Sequence, residues 1–112
     1  MVQYARQLDS TFAALADTTR RGVLERLGRG DASITELAAK FDMTLTGMKK
    51  HVQVLEAVGL VTTEKIGRVR SCTLGPRRLE DETAWMMKHR RMLESRLDRL
   101  GEFLERTKEN ES

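Results

Sequence analysis

The chain has 112 residues, which is enough for one ordinary domain and too few for two. A composition with 33% charged and 39% hydrophobic residues is typical of a folded, soluble protein and excludes a disordered chain. Residues 44–70 contain five basic and two acidic side chains, so this segment alone carries a charge equal to the net +3 of the whole chain. A local basic segment of this kind indicates a surface that faces a polyanion.

Compartment and membrane association are constrained by what the sequence lacks. The longest apolar runs span only a few residues, far below the ~20 that cross a bilayer, and the N-terminus has no basic-then-apolar signal pattern. The single cysteine, Cys72, cannot form an intramolecular disulfide and fits a reducing cytosol. We therefore expect a cytoplasmic protein without membrane association, folded as one domain over residues 1–112.

Two helices are predicted at the start of the chain. Leu8, Phe12 and Leu15 are four and three residues apart, the spacing of one face of a helix over about residues 2–16. Residues 17–19 then offer side-chain oxygens for the N-cap of a second helix, which ends at the glycines that follow it.

A helix-turn-helix motif is predicted next. Ser33 and Glu36 form a capping-box pattern at the start of a third helix that runs to about residue 41. After a short break, Thr44 is the next N-cap, for a fourth helix that ends at about residue 58. Each helix has one apolar face, formed by Ile34, Leu37, Ala38 and Phe41 in the third and by Met48, Val52, Leu55 and Val58 in the fourth. Two short helices joined by a tight turn are typical of a helix-turn-helix.

The apolar pattern changes to that of strands after Gly59. Residues 60–66 and 69–74 are rich in β-branched side chains and flank the pair Gly67-Arg68, which predicts a β-hairpin with a basic tip. The proline that follows suits the first turn of a last helix, predicted over about residues 77–107. The expected fold is therefore mainly α with a small β-hairpin: a winged helix-turn-helix with about five helices and a two-stranded wing.

The last helix carries a heptad-like apolar stripe that needs a partner. Leucines recur at intervals of four, three and four residues, and a helix of roughly 30 residues, ~45 Å long, exceeds what a domain of this size can cover. A second copy of the chain is the most economical partner. We therefore expect the last helix to bind a second copy of the chain, with residues 105–112 as a frayed tail. The expected interface residues on this helix are Trp85, Met86, Leu93, Leu97, Leu100 and Leu104.

The fourth helix and the hairpin are the candidate DNA-binding elements. A helix-turn-helix places its second helix in the major groove, where Thr and Gln contact base edges and Lys contacts guanine or phosphate. A basic hairpin beside it can reach the backbone or the adjacent minor groove. The candidate contacts to double-stranded DNA are Thr44, Leu45, Thr46, Gly47, Lys49, Lys50, His51, Gln53, Lys65, Arg68 and Arg70.

Several segments resemble the signature of the ArsR-type winged-helix repressors. Residues 16–27, which begin Ala-Asp-Thr-Thr-Arg-Arg, are similar to the family's A-D-x-T-R-R-x-x-L-x-x-L. Residues 34–38 resemble the helix before its turn, residues 51–61 its H-L-K-V-L-x-x-A-G-L-V segment, and parts of residues 67–76 its wing and the exit from the wing. The resemblance, over about residues 8–106, implies a homodimer built on the first and last helices, which adds Leu8, Phe12 and Leu15 to the expected interface residues. It also implies that this dimer binds an imperfect palindrome over a promoter and usually represses it.

Two departures from the family pattern limit what the resemblance implies. Lys49 stands where the family commonly has Ser at the start of the recognition helix, and Gly47 and Met48 are also unusual there. The family's base preference therefore does not carry over. In addition, the Cys-x-Cys by which many members sense metals has no counterpart in residues 36–40.

No metal, cofactor or catalytic site is predicted, and no inducing ligand is identified. A soft-metal site needs two to four clustered thiol or imidazole ligands, whereas the chain has one cysteine and two histidines. No nucleophile stands in a pattern with a base and an orienting group. The alternatives are a redox-responsive Cys72, a winged helix that binds RNA or protein, and an inter-subunit metal site on the last helix from Asp81, Glu82, His89 and Glu94.

Overall fold

The computed structural model of the protein describes residues 2–110. Within this range the chain forms five helices and three strands. Its contacts divide it into two compact units, with the boundary between Arg78 and Leu79, whereas the sequence predicts one domain. In chain order the elements are α1 (Val2–Leu15), α2 (Thr18–Leu27), β1 (Ala32–Ser33), α3 (Ile34–Lys40), α4 (Leu45–Ala57), β2 (Val61–Ile66), β3 (Val69–Leu74) and α5 (Glu80–Asn110). The five helices and the hairpin of a winged helix-turn-helix are confirmed.

The helices α2, α3 and α4 begin at N-caps that the sequence predicts. The carboxylate of Asp17 before α2 and the hydroxyls of Ser33 before α3 and Thr44 before α4 each accept a hydrogen bond of 3.0 Å from the backbone N–H three residues later. The Ser33 hydroxyl also donates to the Glu36 carboxylate at 3.2 Å. Each cap stabilises its helix because it satisfies an N–H group that has no partner within the first turn.

The ends of α3 and α4 share one backbone motif. After α3, Asp42 adopts a left-handed conformation (φ 51°), and the N–H of Met43 reaches back to the carbonyl of Ala38 at 2.9 Å. After α4, Gly59 has φ 79°, and the N–H of Leu60 donates to the carbonyl of Leu55 at 3.0 Å. These are Schellman motifs, which end a helix sharply. The first makes the tight turn of the helix-turn-helix.

The core of the first unit lies between α2, α3, α4 and the sheet. The apolar faces predicted for α3 and α4 are confirmed, although Phe41 and Val58 at their ends are only half-buried. Gly22 on α2 lets the helices approach closely, since a Cβ atom there would lie 2.6 Å from the ring of Phe41. The buried apolar residues include Val23, Leu27, Ile34, Leu37, Met48, Val52, Leu55, Leu60, Val61 and Cys72.

The sheet has three antiparallel strands rather than the two that the sequence predicts. β2 and β3 form the expected hairpin, paired from Val61 with Leu74 to Ile66 with Val69. The short strand β1 pairs with the other edge of β3, so the order is β1-β3-β2. The prediction missed β1 because two residues are too few to show the alternating pattern of a strand.

The second unit consists mainly of α5, a helix of 31 residues and about 46 Å in length. It begins three residues after the predicted start, and residues 105–110, where we expected a frayed tail, continue the helix. The last two residues of that expected tail, Glu111 and Ser112, lie outside the described residues. No helix within residues 2–110 is both long and apolar enough to cross a membrane.

Candidate nucleic-acid interface

Helix α4 buries one side and exposes the other. Met48, Val52 and Leu55 are each at most 2% exposed, so the residues between them point away from the core. Gly47 and His51, at the border between the two sides, are half-buried. The other candidate DNA contacts at the start of α4 and along it are exposed, namely Thr44, Leu45, Thr46, Lys49, Lys50 and Gln53.

A groove lies between α4, the start of α3 and the β2–β3 hairpin. It has a volume of about 530 Å³, and a second hollow of about 320 Å³ continues it along α4 toward Gln53 and Glu56. The structure thus brings together predicted DNA-contacting residues from two separate elements. We call this the wing groove; the candidate contacts that line it are Leu45, Lys49, Gln53, Lys65, Arg68 and Arg70.

The wing groove concentrates positive charge, and the repulsion between these charges lowers the stability of the hairpin. Lys65 and Arg70 are directly paired across β2 and β3 and therefore lie on the same face of the sheet. That face is the one that buries Val61 and Cys72 nearer the core. Like charges in directly opposite positions destabilise a hairpin, whereas a bound polyanion would neutralise both. The arrangement therefore suits a phosphate backbone.

One acidic side chain, which the sequence pattern did not predict as part of the site, enters the groove. The carboxylate of Glu56 accepts a hydrogen bond from the Thr63 hydroxyl at 2.7 Å, and that hydroxyl accepts one from the guanidinium of Arg70 at 3.1 Å. This chain of hydrogen bonds connects α4 with both wing strands. The helical spacing of Glu56 from Lys49 and Gln53 could have indicated that it shares their face, but its partner on β2 could not be predicted locally.

His51 differs from the other candidate contacts because its ring is engaged within the protein. Its Nδ1 lies 3.2 Å from Nη1 of Arg20 and 3.8 Å from the carboxylate of Asp17, and its side chain is 19% exposed. Thr44 is engaged as the N-cap of α4 through its hydroxyl. Thr46 and Lys50 remain exposed on α4 and do not line the wing groove.

Cys72 lies in the core rather than on a reactive surface. Its side chain is fully buried on β3, and this burial raises the pKa of the thiol, with the nearby Glu56 carboxylate raising it further. Both effects disfavour the thiolate, which is the reactive form. Within residues 2–110 no three His, Cys, Asp or Glu side chains lie close enough together to hold a metal ion.

The residues predicted for a dimer interface fall into two groups. On α1, Leu8 is buried, whereas Phe12 and Leu15 are half-buried. On α5 the apolar stripe is exposed along its whole length: Trp85 48%, Met86 47%, Leu93 49%, Leu97 65%, Leu100 53% and Leu104 58%. Met92 and Phe103 widen this exposed surface. An apolar stripe of this length is typical of a surface that another chain covers.

Comparisons with known proteins agree with this architecture. A family described as a helix-turn-helix domain matches residues 15–64. The crystal structure of an ArsR family transcriptional regulator superposes with a TM-score of 0.76 at 45% identity, over 85% of this chain and 98% of that one.

Two curated relatives extend the comparison. The HTH-type transcriptional regulator YuzN of Bacillus subtilis is 39% identical over 69 residues, which are 55% of this chain and 75% of YuzN. The transcriptional repressor SdpR of the same organism is 25% identical over 80 residues, or 71% of this chain and 89% of SdpR. The chain therefore belongs to the ArsR family of winged helix-turn-helix, DNA-binding transcriptional regulators.

Proposed function

We propose that the protein is a homodimeric repressor that binds an imperfect palindrome in double-stranded DNA at a promoter. The observation that carries the proposal is the wing groove, whose cations lie beside the exposed face of α4. Lys49, Lys65, Arg68 and Arg70 would bind phosphates and supply most of the affinity. Thr46 and Gln53 on α4 would contact base edges and determine the preferred sequence.

A dimer and a palindrome are two aspects of the same proposal. The exposed apolar stripe of α5 supports association with a second copy of the chain. A dimer with two-fold symmetry presents two copies of α4, which would enter successive major grooves about 34 Å apart. The two half-sites of the operator are then related by the same two-fold axis, so that each α4 meets the same bases.

Repression is the regulatory outcome that we propose. SdpR, which resembles this chain over most of its own length, is named a transcriptional repressor. A dimer seated in the major groove of a promoter would also exclude polymerase from the same DNA. Activation is the alternative outcome, and a reporter placed downstream of the operator distinguishes the two.

The experiment begins with selection of bound duplexes from a random DNA pool by the wild-type protein. An enriched sequence with two inverted half-sites, about one helical turn between centres, supports the proposal. Enrichment of single half-sites would contradict the palindrome, and no enrichment would contradict sequence-specific binding altogether.

Neutralisation of the wing groove tests the assignment of its residues. Arg70→Gln or Lys49→Gln should weaken binding to the selected operator and reduce the slope of log Kobs against log salt by about one for each phosphate that is no longer neutralised. Thr46→Ala and Gln53→Ala should instead change which sequence the selection enriches. Arg29→Gln, in the exposed turn after α2, is the matched control, and an equal reduction of the slope in this variant would contradict the assignment.

A further inference from the structure

One side chain connects the end of α1 with the recognition helix. The guanidinium of Arg20, on α2, donates from Nε to the carbonyl of Ala14 at 2.8 Å and from Nη2 to the carbonyl of Ala13 at 3.2 Å. Its third nitrogen, Nη1, lies 3.2 Å from Nδ1 of His51 on α4. All three guanidinium nitrogens of Arg20 thus have a partner within the protein.

The chemistry of the two groups determines the direction of the Arg20–His51 hydrogen bond. A guanidinium carries only donors, so Nδ1 of His51 must accept. The imidazole proton then resides on Nε2. Asp17, whose carboxylate oxygen lies 3.8 Å from Nδ1, is beyond hydrogen-bond distance. The lone pair of Nδ1 is therefore used in a hydrogen bond within the protein, with Arg20 as the donor.

The carbonyls of Ala13 and Ala14 belong to the last turn of α1, where helical carbonyls lack a partner within the helix and carry partial negative charge. Arg20 donates to both, although the carbonyl of Ala13 also accepts from the N–H of Ala16 at 3.2 Å. Through the same planar group Arg20 reaches α4 at the residue that follows Lys50. A planar guanidinium with three partners fixes their relative positions more strictly than three separate contacts would. A displacement of the end of α1 would consequently pull on α4.

We propose that Arg20 and His51 are positioning residues that hold recognition helix α4 in register with the end of α1, and that His51 acts as an acceptor for Arg20 rather than as a DNA contact. This rests on the proposed function, because positioning of α4 has its effect through DNA binding. Through the same contacts, Arg20 connects α1 with α4. Helix α1 carries Phe12 and Leu15, the half-buried residues of the expected dimer interface.

Three substitutions of His51 separate the roles of the ring nitrogens. His51→Asn retains an acceptor at the position of Nδ1, whereas His51→Gln places one at the position of Nε2 and His51→Leu has neither. We expect the Asn variant to bind the selected operator like the wild type, and the Gln and Leu variants to bind about tenfold more weakly, as removal of a hydrogen bond to a charged group predicts.

The other outcomes overturn the proposal. Wild-type affinity in the Gln variant with weakened binding in the Asn variant would show that Nε2 contacts DNA. Equal affinity in the wild type and all three variants would show that His51 has no positioning role, and equal weakening in all three that an acceptor at Nδ1 is not what matters.

A double-mutant cycle with a matched arginine tests the coupling to α1. Arg21 also donates to a carbonyl at the end of α1, that of Leu15 at 2.7 Å, but within residues 2–110 its guanidinium forms no hydrogen bond with α4. The effects of Arg20→Gln and His51→Leu on operator affinity should be strongly non-additive, whereas those of Arg21→Gln and His51→Leu should add. Additivity in the first cycle would overturn the proposal.

Nuclear magnetic resonance of the unmodified protein gives a readout that depends neither on DNA nor on folding of a variant. The nitrogen shifts of His51 should show the tautomer with its proton on Nε2, and a proton on Nδ1 would overturn the hydrogen bond with Arg20. If the selection enriches no sequence but the tautomer is as expected, the proposed function fails while the Arg20–His51 contact stands.

Discussion

Asp17 occupies the junction between α1 and α2, where opposite helix ends meet. Its carboxylate accepts from the backbone N–H of Arg20 at 3.0 Å, and this hydrogen bond, assisted by the Arg20 guanidinium, lowers the pKa of the carboxyl below its ordinary value. Across the junction, Arg20 and Arg21 donate to carbonyls in the last turn of α1. The helix dipoles favour this arrangement, which places an anion at the start of α2 and two cations at the end of α1.

The lowered pKa of Asp17 predicts a particular dependence of stability on pH. A carboxyl whose folded-state pKa lies below its unfolded-state pKa contributes stability above the unfolded value, near pH 4, and loses it as the pH falls through the folded value. Asp17→Asn keeps a cap but removes the charge, so the variant should melt below the wild type at pH 7, and this difference in Tm should shrink by pH 3. Thr44→Asn exchanges one uncharged cap for another, so its effect should not change with pH. A constant Asp17→Asn difference would contradict the assignment.

At the scale of elements, local signals were sufficient for most of the fold. The caps at Ser33 and Thr44 and the glycine that ends α4 act within four or five residues of sequence, so their patterns predicted the helices that the structure contains. Non-local contacts were not predictable in this way. Three such contacts depend on how the helices and strands pack against one another: the pairing of β1 with β3, the Thr63–Glu56 contact and the Arg20–His51 contact. Arg20 and His51, for example, are 31 residues apart in the sequence.

In the candidate site, too, local features were predictable from the sequence and non-local contacts were not. Periodicity correctly separated the exposed face of α4 from its core face, and the hairpin tip was expected to be basic, so the basic residues that line the wing groove were all predicted. His51 was not distinguished from its exposed neighbours, because its position at the edge of the buried face is compatible with either environment until α2 is in place. Glu56 was missed since a carboxylate is not expected beside a polyanion.

The hydrogen-bonded chain from Glu56 through Thr63 to Arg70 predicts that the wing is oriented by α4. Thr63→Val removes the hydroxyl with little change in shape, so Glu56 is deprived of its donor and Arg70 of an acceptor. We expect stability to fall by about 1 kcal/mol and operator binding to weaken several-fold, measured by chemical denaturation and gel shift. Adding Glu56→Gln should recover part of the affinity by removing the unneutralised charge from the groove.

The matched control for this change lies on the same strand. Thr62 shares a hydroxyl–hydroxyl contact of 2.7 Å with Thr73 on the opposite face of the hairpin. Thr62→Val should therefore lower stability by a similar amount and leave operator affinity unchanged. An equal decrease of affinity in both variants would show that hairpin stability, rather than the link to α4, determines binding.

At the scale of the whole molecule, the amount of exposed apolar surface on α5 is the feature that a single chain does not explain. Leu93, Leu97, Leu100 and Leu104 repeat at heptad spacing and are 49–65% exposed. Because each leucine is already about half covered, burial of its exposed part contributes roughly 1–2 kcal/mol before the costs of association are subtracted. Because both copies contribute the same stripe, a two-fold dimer doubles this gain, which is then of the same order as those costs.

The dimer proposal predicts that one charge in the middle of the stripe dissociates the protein. Leu97→Glu or Leu100→Glu would place a carboxylate in an apolar interface on both copies, whereas the same residue on an exposed helix of a monomer costs little. Light scattering at micromolar concentration should therefore show a dimer for the wild type and a monomer for either variant. The operator affinity of either variant should be greatly reduced, because the two half-sites are no longer bound by one linked dimer. Ser95→Glu, at the heptad position opposite the stripe, should remain dimeric and bind normally. A monomeric wild type, or a Leu97→Glu variant that stays dimeric, would show that α5 serves some other contact.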